Sequence, residues 1–154
     1  MDARAVIERL DLLPHPEGGW YRETWRGPDA GGRPVATSIY YLLEAGASSH
    51  WHRIDADEIW SWHAGSPLEL SMSADGGAVE RSILGIALER GERPQVVVPA
   101  RAWQSARSIG DWALAGCAVA PGFTFEGFEL APEGWRPARG SDGERSRTEP
   151  TVTP

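Results

Sequence analysis

The chain contains no lysine and no asparagine, and all fifteen of its cationic residues are arginine. Without a lysine amine no Schiff base can form, which excludes lysine-linked pyridoxal phosphate chemistry. Without asparagine there is no N-glycosylation sequon. Cysteine is nearly absent as well. Cys117 stands alone, so no internal disulfide can form, and a reducing, cytoplasmic setting is expected. No apolar run is long enough to span a bilayer, and no signal-peptide pattern opens the chain, so no membrane partner is expected. Positive charge is in deficit: the net charge of −7 argues against nucleic acid or anionic lipid as a partner.

What is present is enough for one core. A chain of 154 residues, 41% hydrophobic and with eight tryptophans, suits a single globular domain. That domain is expected over 1–135. Residues 136–154 are Pro, Gly, Ser, Arg, Glu and Thr with almost nothing apolar, the composition of a disordered tail.

Asp2 to Leu13 reads as a short amphipathic helix, with Asp2 as N-cap and Val6, Ile7, Leu10 and Leu13 as its apolar stripe. Beyond it the period changes to two. Strands are expected over 20–25, 37–43, 68–72, 79–84, 95–98, 101–106 and 112–120, with 123–130 as a strand end or a helical turn. Gly/Pro turns separate them, as in a β-sandwich or barrel. The stretch His15-Pro16-Glu17-Gly18-Gly19 is a turn by composition. Arg22 and Glu23 follow on a strand where only one of them can face inward. Arg22 is the residue expected to bind an anionic group, with an ion pair at the rim as the alternative.

Residues 48–65, SSHWHRIDADEIWSWHAG, hold three of the four histidines and an Asp-Glu pair. On an extended strand His50 and His52 would share one face. Glu58, Trp60 and Trp62 would share another alternating face, with His63 out of phase. A carboxyl group among these apolar neighbours is expected to have a raised pKa suited to acid/base work. The tryptophans could fill the core or form a stacking wall for a ligand. Cys117, in an apolar run with no basic neighbour, is expected to be a small buried residue.

HPEGGWYRE, HRIDADEIWSWHAGSPLEL, VVVPARAWQSA and CAVAPGFTFEGFEL resemble, in order from about Leu13 to Ala131, the Cupin_5 family, an uncharacterised branch of the cupin superfamily. The resemblance implies an all-β fold, the double-stranded β-helix or jelly roll shared with sugar-nucleotide epimerases, here with a short N-terminal helix. It also implies a homodimer. The superfamily's signature begins with H-x-H, then three or four residues, Glu, six residues and Gly. His50, His52, Glu58 and Gly65 follow it except that five residues separate His52 from Glu58. Either Asp57 takes the carboxylate place or a bulge re-aims Glu58; Glu58 is favoured by its intact spacing to Gly65. The second part, P-x-G-x-x-H, reads Pro99 to Gln104, so glutamine replaces the last histidine. The implied metal set is therefore His50, His52, Glu58 and Gln104, weakened by a neutral amide.

The reading that follows is a small-molecule pocket inside the barrel, with His52 and Glu58 as a proton-transfer pair. Arg22, His50, Trp60, Trp62 and Gln104 would contact the ligand. A metal-independent isomerase or epimerase acting on a carbohydrate-like ligand is the leading expectation. A non-catalytic ligand-binding or storage protein is the alternative, and a metal-dependent cupin of the oxygenase class is the third. A divalent metal stays open as cofactor, with metal-free chemistry ahead.

Overall fold

Asp2 caps the first helix as its sequence suggests: its carboxylate accepts from the Ala5 N–H at 2.8 Å. The structure, a computed structural model, describes residues 1–138. Helix α1 runs only from Ala3 to Arg9. It ends in a Schellman turn, in which Leu12 N–H bonds the Ile7 carbonyl and Asp11 N–H bonds that of Glu8. Asp11 takes the left-handed position at φ 49°. This stop swings Leu12, not Leu13, onto the buried side; Leu13 is 65% exposed. The apolar stripe expected to end at Leu13 therefore ends at Leu12.

Among the described residues eleven strands make two antiparallel sheets, and the all-β jelly roll with a short N-terminal helix is what forms. One sheet holds β1 (Leu13–Pro14), β2 (Trp20–Arg26), β3 (Thr37–Glu44), β10 (Trp112–Ala120), β5 (Asp57–Gly65) and β8 (Gln95–Val98), in that spatial order. The other holds β11 (Phe128–Leu130), β4 (His52–Ile54), β9 (Trp103–Ser108), β6 (Leu68–Ser73) and β7 (Glu80–Leu84). Alternation sorts the side chains. Tyr41 and Leu43 of β3, Trp60 of β5, Leu68 and Leu70 of β6 and Ala113, Ala115 and Cys117 of β10 fill the space between the sheets. Leu42 and Leu114 face the other way, under Val6 and Leu12. That second cover explains why β3 reads apolar on both faces.

One end of the barrel is left less filled. There Ile54, Ala56 and Val119 pack with Phe123 and Phe128 rather than with the main core. The last described residues still belong to the fold. Trp135 stacks on Trp103 with ring centroids 4.5 Å apart, and Ala138 N–H bonds the Gly76 carbonyl at 2.7 Å. Of the expected tail, 139–154 lies outside the described residues, whereas 136–138 lead to the turn between β6 and β7, where Ala138 meets Gly76. Among the described residues no helix is long and apolar enough to cross a membrane.

Candidate functional site

The turn between β1 and β2 carries the first half of the site. His15 N–H bonds the Gly19 carbonyl and Gly18 N–H bonds that of His15, both at 3.0 Å. Gly19 sits at φ 76°, and a Cβ there would fall 2.8 Å from the Leu42 carbonyl oxygen. Glycine is thus required twice over, by conformation and by space. The Tyr41 hydroxyl donates to the Gly18 carbonyl at 2.5 Å. Pinned this way, the turn sends His15 and Glu17 into the open end of the barrel.

The second half comes from β4 and β5. His52 opens β4 and is buried, with its Nδ1–H donating to the His50 carbonyl at 2.8 Å. That bond fixes the tautomer and leaves Nε2 as an acceptor. Glu17 Oε2 lies 3.0 Å from that nitrogen. Glu58, on β5, is also buried, and its Oε2 accepts from the Gln104 side-chain amide Nε2–H at 2.6 Å. Gln104 in turn accepts from the Trp60 indole at 3.0 Å.

These groups surround a cavity of about 300 Å³. Its polar floor holds His15, Glu17, His52, Glu58, Thr37 and Cys117, and its apolar wall holds Ile39, Ile54, Val119, Phe123, Phe125 and Phe128. Tyr21, Glu23 and Arg26 complete the lining. Burial governs every titration here. It pushes the Glu17 carboxyl up to about 8, only partly offset by the Tyr41 hydroxyl. It pushes Glu58 up to about 7, with His52 opposing the rise and Glu17 reinforcing it. It pulls His15 down to about 4, aided by His52, and lowers His52 as well. The Cys117 thiol is held well above its ordinary range, first by burial and then by the two carboxyl groups. Near neutral pH, Glu17 and His52 therefore form a neutral pair sharing one proton, with the Glu17 hydroxyl donating to Nε2. Glu58 sits close to its own midpoint.

His52 and Glu58 are brought to one cavity, and the carboxylate ambiguity resolves in favour of Glu58. Asp57 is exposed and accepts from Ala100 N–H at 2.8 Å. The extra residue of the signature is absorbed in the Asp55-Ala56 turn between β4 and β5. The other expected contacts lie elsewhere than the cavity. His50 precedes β4, so strand alternation does not apply to it; its Nε2 bonds the Ala131 carbonyl at 2.9 Å, away from the cavity. Arg22 faces outward, half exposed, at 3.4 Å from Asp11. Trp60 and Trp62 lie on the inward face of β5 as expected, but deeper, where they fill core instead of lining the cavity. Gln104 is fully buried behind Glu58 and does not line the cavity either.

The sequence marks His15 and Glu17 only as part of a turn, leaves Glu23 as the alternative to Arg22 for the inward place, and does not point to Arg26 or the three phenylalanines as lining. A register shift on β2 between Glu23 and Trp25 explains one of these. Glu23 pairs with inward Ile39, and after the shift Arg26 pairs with inward Thr37. Strict alternation would have left Arg26 on the outer side with Arg22. Its guanidinium forms a two-pronged pair with Glu23, Nε and Nη2 donating to the two carboxylate oxygens at 3.0 and 2.8 Å.

The signature in the sequence implies a metal set, so the placement of its donors matters. Among the described residues no group of three or more His, Cys, Asp and Glu is arranged to hold an ion. The physical reasons are plain: His50 is turned away, Gln104 spends its oxygen on Trp60 and its nitrogen on Glu58, and Glu17 and His52 are bonded to each other. The expected set His50, His52, Glu58 and Gln104 does not fit one metal ion.

The comparisons agree with the fold. Residues 4–131 match the family model Cupin_5, described as "Cupin superfamily (DUF985)". A protein of solved structure from Shewanella oneidensis is 42% identical, with TM-score 0.82 over 85% of each chain. A hypothetical protein from Leishmania major is 33% identical, with TM-score 0.79 over 88% of this chain and 90% of its own. Oxalate decarboxylase from Bacillus subtilis, at 15% identity and TM-score 0.61 over 79% of this chain and 30% of its own, shares the fold alone. No curated protein sequence matches the chain.

Proposed function

The chain belongs to the Cupin_5 family, and we propose that it is a metal-independent isomerase or epimerase that moves a proton on a small carbohydrate-like ligand. The observation that carries this reading is the 3.0 Å contact between Glu17 Oε2 and His52 Nε2, in the same cavity as Glu58. A carboxyl group pushed to about 7 is half ionised at neutral pH, so it can both take a proton from carbon and return it. The Glu17–His52 pair is a second proton store beside it. The cavity is at the small end of ligand sites, which suits a monosaccharide-sized molecule, and its phenylalanine wall suits the apolar C–H face of a sugar ring.

A non-catalytic ligand-binding or storage protein is the rival, and the largely apolar wall favours it. The metal-dependent oxygenase reading loses its support with the donor set. A panel of free sugars and related metabolites, followed for both product and thermal stabilisation, separates the first two. The enzyme reading expects turnover by the wild type, and Glu58→Gln should retain stabilisation while losing about 10²–10⁴ in rate. A ligand that stabilises the wild type and is never converted supports the binder.

A further inference from the structure

His15 is a buried polar side chain with one nitrogen left over. Its side chain is 8% exposed, yet it lines the cavity. The Glu17 backbone N–H donates to its Nδ1 at 3.2 Å. A backbone N–H can only donate, so Nδ1 is the acceptor and the proton of the neutral ring is on Nε2. No described residue accepts from that Nε2–H. The ring is held edge-on to Tyr21, Tyr41 and Phe128, with centroids 4.6, 5.8 and 6.4 Å away. Three aromatic contacts fix the direction of this donor in a ring that lines the cavity, and no described residue occupies it.

We propose that the His15 Nε2–H binds the carbonyl oxygen of the ligand, and that the substrate class is an unphosphorylated α-hydroxy aldehyde or ketone, such as the open-chain form of a small sugar. This rests on the proton-transfer reading above and names its substrate. Burial keeps the imidazole neutral near pH 7, with its pKa down at about 4. A neutral imidazole polarises a carbonyl without itself giving up a proton first. Lack of an unpaired cation among the described lining residues argues against phosphate. Among the described residues Arg26 is the one cationic side chain in the lining, and it is already paired with both oxygens of Glu23, while the partly ionised Glu58 would repel an anion.

The reaction balances without a co-reactant. The Glu58 carboxylate takes the proton on C2, and the C–H electron pair becomes the C1–C2 double bond. The carbonyl pair moves onto O1, held by His15, and O1 takes a proton from the Glu17–His52 pair. The O2 hydrogen returns to that pair as C2=O2 forms, and Glu58 gives its proton to C1. An aldose becomes a ketose, with no net oxidation.

Two measurements test it. The first is calorimetric binding of glycolohydroxamate, a neutral mimic of the enediol, and of its phosphorylated counterpart. The expected result is binding by the wild type, a loss of at least tenfold in His15→Leu, partial recovery in His15→Gln, and no tighter binding of the phosphorylated form. Nuclear magnetic resonance of the wild type should show the His15 Nε2–H in a new hydrogen bond on saturation, which needs no variant to fold. Unchanged affinity in both variants, an unmoved His15 resonance or preference for the phosphorylated mimic overturns the proposal. The second is deuterium exchange at C2 of glyceraldehyde, erythrose and xylose in D₂O. His15→Leu should lose about 10²–10³ in rate, as for loss of an oxyanion donor. Exchange lost in Glu58→Gln but kept in His15→Leu leaves the proton-transfer reading and sinks the role of His15. Hydroxamate binding through His15 with no exchange by the wild type does the reverse. Neither binding nor exchange removes both.

Discussion

Glu17 Oε2 faces His52 Nε2 at 3.0 Å, and the geometry on both sides makes this a neutral pair, not an ion pair. His52 already donates from Nδ1 to the His50 carbonyl, and burial pushes Glu17 up and His52 down. Each shift favours the uncharged form, so the single proton sits on the carboxyl group and points at the imidazole.

That arrangement sets a pH dependence of stability. Glu17 and Glu58 have folded pKa values of about 8 and about 7, above the ordinary 4.5. A raised value means the folded state holds more protons, so the stability they contribute is fully present below 4.5 and lost as pH rises to about 8. His15 and His52 are shifted the opposite way, so their contribution grows only up to the ordinary 6.5. Between pH 6.5 and 8 the acids act alone. The melting temperature should fall across that interval, and Glu17→Gln should flatten the fall. A melting temperature that rises from 6.5 to 8 would contradict the neutral pair.

Gln104 should matter through Glu58. It donates to Glu58 at 2.6 Å and accepts from Trp60 at 3.0 Å, with no exposure of its own. Gln104→Leu orphans two buried polar groups, each costing about 1–3 kcal/mol, so a loss of about 2–6 kcal/mol is expected in denaturant unfolding. It also removes a hydrogen bond that holds Glu58 down. The pH midpoint of any Glu58-dependent activity should therefore move upward.

Much of the fold is legible in the residues because alternation is local. Strands β3, β8 and β10 follow from period two and their flanking turns. The chemistry is less legible, because it depends on where alternation stops. His50 and His52 are two apart, but β4 begins only at His52, so the two rings part company. Trp60 and Trp62 are on the right face at the wrong depth, which no periodicity encodes. HPEGG reads correctly as a turn, yet its glycines serve to aim His15 and Glu17 inward. The available signal was a His and a Glu two apart beside an aromatic strand. The β2 register shift that brings Arg26 inside has no clear mark in composition.

Elemental analysis of protein purified without chelator should find no stoichiometric Fe, Mn, Ni or Zn. Gln104→His, which restores the histidine of the superfamily signature, should not create a tight site by itself, because His50 remains bonded to the Ala131 carbonyl. Stoichiometric metal that disappears in His52→Ala would contradict the metal-free reading.

The phenylalanine wall divides into binding and support. Phe125 is 63% exposed at the cavity, so Phe125→Ala should change stability by no more than about 0.5 kcal/mol while weakening ligand binding several-fold. Phe128 packs on His52, His15 and Phe123, with centroids 5.6, 6.4 and 5.8 Å away. Phe128→Ala should cost about 2–3 kcal/mol in unfolding experiments, and loosen both imidazoles.

The proton between Glu17 and His52 can be observed directly by nitrogen NMR of the histidine ring. Near pH 7 the expected spectrum has a protonated Nδ1 and an unprotonated Nε2 that accepts a hydrogen bond, with the bond weakened in Glu17→Ala. An imidazolium with both nitrogens protonated at pH 7 would contradict the neutral, proton-sharing pair on which the proposed chemistry depends.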